Sequence, residues 1–331
     1  MRMTKLILVE GLPGSGKSTT AHTVARLLAD RSVPVRWWYE EEVNHPVYVF
    51  RDRTTLQQVV DDLAGGEYRR VLAAALAQWR RFAVLMQGTD SVVLIDSCLL
   101  GYLTWSLFPL AVPEAEIREY VAEVERIIAP ATPCLIYFYQ QDVGASLARL
   151  CARRGGDTEQ RLIQQSTQSP YGRQRGLQGF AGMVAYWAAY RQLTDAAFAG
   201  LALPKLAIET TAGDWPTYRQ QVLTFLGLPP SATQRLPDDE AARFVGTYRY
   251  EEGDARGSAT ISVEGGELFL DGVPHVWPHN RLVPKARNAF DVESLPFEIS
   301  FSEASDGRIM RMVATGPELL SGKPPGIFVK Q

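Results

Sequence analysis

Residues 6–18 read LILVEGLPGSGKS. Leu6 to Val9 make an apolar run of strand length, and Gly11 to Ser18 match GxxxxGK[ST], the spacing of a phosphate-binding loop. Gly11, Gly14 and Gly16 let the backbone turn tightly enough that successive N–H groups point inward at an anion. Lys17 sets a positive charge against the β- and γ-phosphates of a nucleotide, and the Ser18 hydroxyl is a ligand for Mg²⁺. Ser15 and Thr19 complete the phosphate-binding set. The pattern predicts a helix from Lys17 to about Ala29, whose positive dipole end meets the same anion. A Gly-rich surface turn would lack both the buried strand before it and the helix after it.

Outward from this motif, up to about Leu228, short apolar runs alternate with helical periodicity. Thr4–Val9, Val33–Tyr39, Ser91–Asp96, Pro133–Tyr139 and Lys205–Glu209 read as buried strands. Glu67–Met86 carries Tyr68, Val71, Leu72, Ala75, Leu76, Trp79, Phe82 and Met86 on one helical stripe. The alternation predicts an α/β domain over residues 1–228, a five-stranded parallel sheet flanked by helices. Its last helix has Asp214 as N-cap, Pro216 in the first turn and Gly227 as its stop. Residues 229–242, PPSATQRLPDDEAA, read as a polar linker. From 243 to 331 the texture is Gly, Pro and short alternating runs. Ala259–Gly272 signals a hairpin around Gly265-Gly266. Phe290–Val292, Phe297–Phe301 and Ile309–Ala314 read as further strands, with a turn at Asp306-Gly307. This predicts a small antiparallel β-domain, barrel or sandwich.

The chain has 331 residues, 46% hydrophobic and 21% charged, which describes a globular chain of about two domains rather than a disordered one. A net charge of −3 speaks against a dedicated nucleic-acid binder. Of 34 basic residues only six are Lys; Arg suits bidentate phosphate recognition, although genome composition alone also produces such a bias. No apolar stretch approaches the length of a membrane span. Leu6–Val9 is too short for a signal-peptide core. Cys98, Cys134 and Cys151 are odd in number and not in CxxC spacing, which fits a reducing cytoplasm and excludes a disulfide framework or Cys-based zinc site.

A phosphate-binding loop leaves open what becomes of the terminal phosphate. No NKxD-type guanine reader is present, Leu320-Ser321-Gly322 lies in the wrong domain for an ABC-type signature, and the first domain is short for a AAA+ module. Exclusion points to a small-molecule kinase. Asp96 ends the strand in VVLIDS (92–97), the position of an acid that holds Mg²⁺ beside the loop hydroxyl, though an Asp there also suits a cap. Glu40, Glu41 and Glu42 follow the second strand, at the sheet end facing the ligand crevice. A carboxylate there accepts the proton of an attacking hydroxyl or holds substrate; Glu41 and Glu42, further into the loop, are the choice, against the plainer reading of a solvated loop. In SLARLCARR (146–154), Arg149, Arg153 and Arg154 fall near one helical face, ahead of Gly155-Gly156. With Arg161, Arg173 and Arg175 they predict a lid over about 154–180 whose cations close on the transferring group.

GLPGSGKS, the acids after the second strand, the VVLIDS strand and LARLCARRGG leading into a lid occur in that order. Residues 1–228 thereby resemble the P-loop kinases of the thymidylate kinase and deoxynucleoside kinase type. The resemblance implies a CheY-like order of parallel strands and an ATP·Mg²⁺ donor. It puts Lys17 and Ser18 on phosphate and metal, a Glu among 40–42 as base or substrate ligand, and Arg149, Arg153 and Arg154 in the lid. There are two departures. Asp96 is followed by Ser97 and Cys98 where those families often carry Arg. Glu42-Val43-Asn44-His45-Pro46 stands where thymidylate kinases carry Arg-Glu-Pro. The acceptor therefore extends to other metabolites and to antibiotics, as in the chloramphenicol phosphotransferase-like kinases.

The β-domain resembles, through Phe244–Tyr248, Ile261–Leu270, Arg281–Pro284 and Phe297–Phe301, the β modules appended to some penicillin-binding-protein-like serine hydrolases. It shows no nucleophile-plus-base arrangement. Its expected roles are covering the kinase site, self-association or binding a protein partner. Trp37, Trp38, Tyr39, Tyr48, Phe50 and Trp79 divide between core and acceptor wall. His45 is a candidate substrate contact. His275 and His279 have metal-like spacing, but Pro278 lies between them and no acid or Cys cluster supports a site. The expected function is ATP- and Mg²⁺-dependent phosphoryl transfer to a small-molecule acceptor. The alternatives are a nucleotide-switched binding ATPase whose β-domain engages a partner, and a kinase acting on protein or RNA.

Overall fold

The computed structural model describes residues 4–230, 235–252, 255–324 and 326–331. Contacts divide the chain into two units, Met1–Glu40 with Asn44–Pro230, and Glu41–Val43 with Ser231–Gln331.

In the first unit the chain runs β1 (Leu6–Gly11), α1 (Lys17–Ala29), β2 (Val35–Trp38), α2 (Arg53–Ala64), α3 (Tyr68–Gln87), β3 (Val92–Asp96), α4 (Gly101–Ser106) and α5 (Glu114–Ile128). It continues with β4 (Pro133–Tyr139), α6 (Val143–Arg154), α7 (Thr158–Thr167), α8 (Pro170–Gln174), α9 (Gly179–Gly200), β5 (Lys205–Glu209) and α10 (Trp215–Leu226). The strands form one parallel sheet in the order β2-β3-β1-β4-β5. With the phosphate-binding loop between β1 and α1, this is a P-loop NTPase fold.

The observed order corrects the CheY-like expectation, since β3 rather than β1 neighbours β2. Both strands are buried along almost their whole length, so apolarity does not separate them. The long connection through α2 and α3 lets β2, whose Arg36 is exposed, take the edge beyond β3. The result is a central β1 with β3 and β4 on its two sides, so the phosphate-binding loop leaves from the middle of the sheet.

Helix α3 buries Val71, Ala75, Trp79, Phe82 and Met86, the predicted stripe, and leaves Val84 and Leu85 exposed. At α10 the Asp214 carboxylate accepts the Thr217 N–H at 3.3 Å, and Gly227 ends the helix in the left-handed region at φ +67°. The three cysteines are free and buried. Among the described residues no helix is long and apolar enough to cross a membrane.

The second unit adds a helical turn, α11 (Asp238–Ala242), and eight strands: β6 (Gly246–Glu252), β7 (Ala255–Glu264), β8 (Glu267–Asp271), β9 (Asn280–Ala286), β10 (Ala289–Val292), β11 (Glu298–Glu303), β12 (Ile309–Thr315) and β13 (Ile327–Lys330). They close into an antiparallel barrel in the order β10-β11-β12-β13-β6-β7-β8-β9. Closure leaves no free strand edge. Residues 238–242, expected as linker, are helical, with Asp238, Asp239 and Glu240 favourably placed in the first turn; residues 231–234 of that expected linker lie outside the described ones. The β7–β8 hairpin turns at Gly265 and Gly266, with φ +57° and +79°, a pair of left-handed positions that glycine takes without strain. Phe244, Tyr248, Phe290, Phe301 and Phe328 are buried and fill the barrel with aromatic rings. A cavity of about 10 Å³ beside Leu268, Leu282 and Phe290 has room for one water at most. His279 stacks on Phe269 at 4.2 Å, and no cluster of three metal-ligating side chains occurs among the described residues.

Candidate active site

The phosphate-binding loop is held by its glycines and left open at its helix end. Gly16 lies at φ +92°, and a Cβ placed on it would come within 2.4 Å of the Trp215 indole, so both backbone and neighbour demand glycine. No side chain caps α1, so none competes for the N–H groups of its first turn. The Ser15 hydroxyl is wholly buried with no hydrogen-bond partner.

Asp96 ends β3 opposite Val9, which carries it to the base of the loop. It is wholly buried. Its Oδ1 accepts the Glu40 N–H at 3.1 Å, the Ser18 hydroxyl stands beside the carboxyl, and Oδ2 has no hydrogen-bond partner. Burial first, then the Glu40 charge, pushes Asp96 up to about 8, while Ser18 and Lys17 pull the other way. A bare carboxylate oxygen in the interior is costly unless a cation completes it. Ser18 and Asp96 therefore fit a divalent cation, whose charge would restore the ionised carboxylate.

Glu10 is a functional candidate absent from the motif reading. It sits in β1 just before the loop, wholly buried. Its Oε1 accepts the Leu99 N–H at 2.7 Å and its Oε2 the Gly101 N–H at 3.1 Å, so it clasps the turn that follows Asp96. Burial lifts its carboxyl from the usual 4.5 to about 7, against those hydrogen bonds and the Lys17 charge. The sequence signal was available: an ionisable residue closes an otherwise apolar strand.

The sign of the pH effect follows. Between about 4.5 and about 7 the folded protein keeps a proton on Glu10 that the unfolded chain has released. Stability therefore falls as pH rises through that window, and the loss is complete above it. Asp96 slopes the same way in wild type and variant alike. Urea midpoints from pH 4.5 to 8 should fall more steeply in wild type than in Glu10→Gln; parallel curves would show that burial does not raise Glu10.

The remaining expected residues are distributed as follows. Of the three acids, Glu40 stands with the first unit beside Asp96. Glu41 and Glu42 group with the second, Glu42 bridging Leu319, because the backbone of 41–43 hydrogen-bonds there. Arg149, Arg153 and Arg154 lie on the last turns of α6. Arg149 donates to the Ser146 hydroxyl at 3.1 Å and the Thr211 carbonyl at 3.0 Å, and Arg153 is exposed. The expected lid is the pair α7 and α8, with Arg175 over the Tyr171 ring at 3.7 Å. Trp37, Tyr39, Tyr48, Phe50 and Trp79 are buried.

His45 is buried, stacked on Tyr48 at 4.3 Å, with Nε2 3.5 Å from Cys98 Sγ. Burial, then Arg36, lowers His45 to about 3, and burial pushes the Cys98 thiol well up. A neutral imidazole beside a neutral thiol is not an activated nucleophile. This cluster packs as a buried wall beside the turn that follows Asp96.

No family model matches the sequence, and no curated protein matches it. Among solved structures, thymidylate kinase from Ehrlichia chaffeensis is similar at 14% identity, over 68% of this chain and the whole of that one, with a TM-score of 0.35.

Proposed function

We propose that the first unit transfers the γ-phosphoryl group of ATP to a small-molecule acceptor. One observation carries this reading: the bare, buried Oδ2 of Asp96, beside Ser18 and within reach of the Lys17 charge, at the base of a phosphate-binding loop. Lys17 and the N–H groups from Gly14 to Ser18 hold the phosphates. Ser18 and Asp96 would hold Mg²⁺, which would supply positive charge against the phosphates. Glu40, whose own N–H is tied to Asp96, receives the acceptor proton. Arg149, Arg153 and Arg154 at the end of α6 are the cations available to cover the transferring group. Positioning and fixed charge supply most of the acceleration.

The test is direct. Protein, ATP and Mg²⁺ are mixed with pooled small hydroxyl and phosphate compounds, and mass spectrometry looks for the gain of one phosphoryl group. A product that requires the protein supports the proposal. ATP binding without any product would favour a nucleotide-switched binding protein instead.

A further inference from the structure

At the carboxyl ends of β1, β2 and β3 the first unit gathers three carboxylates, Glu10, Glu40 and Asp96. Two are wholly buried, and Glu40 is half-buried. Lys17 faces them from the phosphate-binding loop, where a nucleotide would occupy it. On β2 and α3, the described cations hold other partners. Arg36 lies over the Trp38 ring at 4.0 Å and donates to the Trp37 carbonyl. On α3, Arg69 pairs with Glu116, Arg70 with Asp62 and Arg80 with Glu123. A second phosphate arriving here would meet the like charge of these carboxylates at short range.

Ser97 lies in the same turn and is built abnormally. It follows Asp96 at φ +58°, in the left-handed region that non-glycine residues avoid. Its N–H donates to the Val9 carbonyl at 3.0 Å, which pins it level with Glu10. It is 5% exposed, and its hydroxyl has no hydrogen-bond partner. A buried orphan hydroxyl on strained backbone, next to the acid of a reaction centre, is the pattern of a side chain kept for a ligand. The adjoining wall of His45, Tyr48 and Tyr102 is aromatic and buried.

We propose that the acceptor presents a hydroxyl with no phosphate or carboxylate beside it, and that the Ser97 Oγ hydrogen-bonds to this acceptor; the proposal rests on the phosphoryl-transfer function above. In the transfer the acceptor oxygen bonds to the γ-phosphorus while the bond from that phosphorus to the β–γ bridging oxygen breaks. The electron pair leaves with ADP, and the acceptor proton passes to the Glu40 carboxylate and then to water.

The test uses the full chain with ATP and Mg²⁺ and two matched pools. One holds nucleosides, hexoses and hydroxylated antibiotics; the other holds nucleoside 5′-monophosphates and hexose phosphates. Products are read by mass. Transfer confined to the first pool supports the proposal. Transfer to the phosphate-bearing pool overturns it and leaves the kinase function standing. No product in either pool overturns both. With the acceptor found, Ser97→Gly suits the backbone and removes the hydroxyl. It should raise the acceptor KM about tenfold and leave the ATP KM unchanged. An unchanged acceptor KM would remove Ser97 from the site.

Discussion

Replacing Lys17 with alanine is expected to lower phosphoryl transfer by about 10³-fold, the scale of losing one fixed charge aimed at the transferring group. The protein should stay folded. Lys17 is buried and its charge holds down both Glu10 and Asp96. Removing a buried cation would ordinarily strand its partners. Here both carboxyls already lie near neutrality, at about 7 and about 8, so without Lys17 they keep their protons instead. The expected signature is therefore double. Turnover collapses, and the fall of stability with pH extends to higher pH than in wild type, because both carboxyls rise further. Lys17→Met, of similar length and without charge, should behave alike. Turnover at the wild-type rate in either variant would remove the loop from the chemistry.

The phosphate-binding loop is legible because its residues are contiguous and its chemistry is local. Lys17–Ala29, Pro133–Tyr139 and Lys205–Glu209 form the elements expected of them for the same reason: strand and helix periods and caps are written within each segment. The Gly265-Gly266 turn is equally local. What escaped is tertiary. Two strands buried along almost their whole length, β1 and β3, give no sign of which is central. Which of Glu40, Glu41 and Glu42 stays with the first unit turns on which backbone the segment pairs with, and three consecutive acids carry no record of that. Glu10 carries one signal, an acid at the end of an apolar run, but not its partners: the N–H groups of Leu99 and Gly101 lie some ninety positions away in a loop with no regular period. Ser97 reads as an ordinary residue until its backbone angle and its missing partner are known.

Trp79→Ala should cost the first unit about 3–5 kcal/mol, the usual range for emptying a core site of this size. Trp79 is wholly buried on α3, its ring edge-on to Phe82 at 5.9 Å, and its Nε1–H donates to the Tyr120 hydroxyl on α5 at 3.0 Å. Alanine removes the ring and also leaves that hydroxyl, itself buried, without its donor. Trp79→Phe refills most of the volume and loses the hydrogen bond alone, so its cost should be smaller by roughly half or more. Six of the seven tryptophans lie before residue 230, so fluorescence in a urea titration reports chiefly the first unit. Saturating nucleotide and Mg²⁺ should return part of the loss, about 2.7 kcal/mol at a hundredfold excess over Kd. The same addition should return much less when Lys17→Ala is combined with Trp79→Ala. Equal recovery in the two proteins would mean that the nucleotide stabilises the unit from somewhere other than the loop.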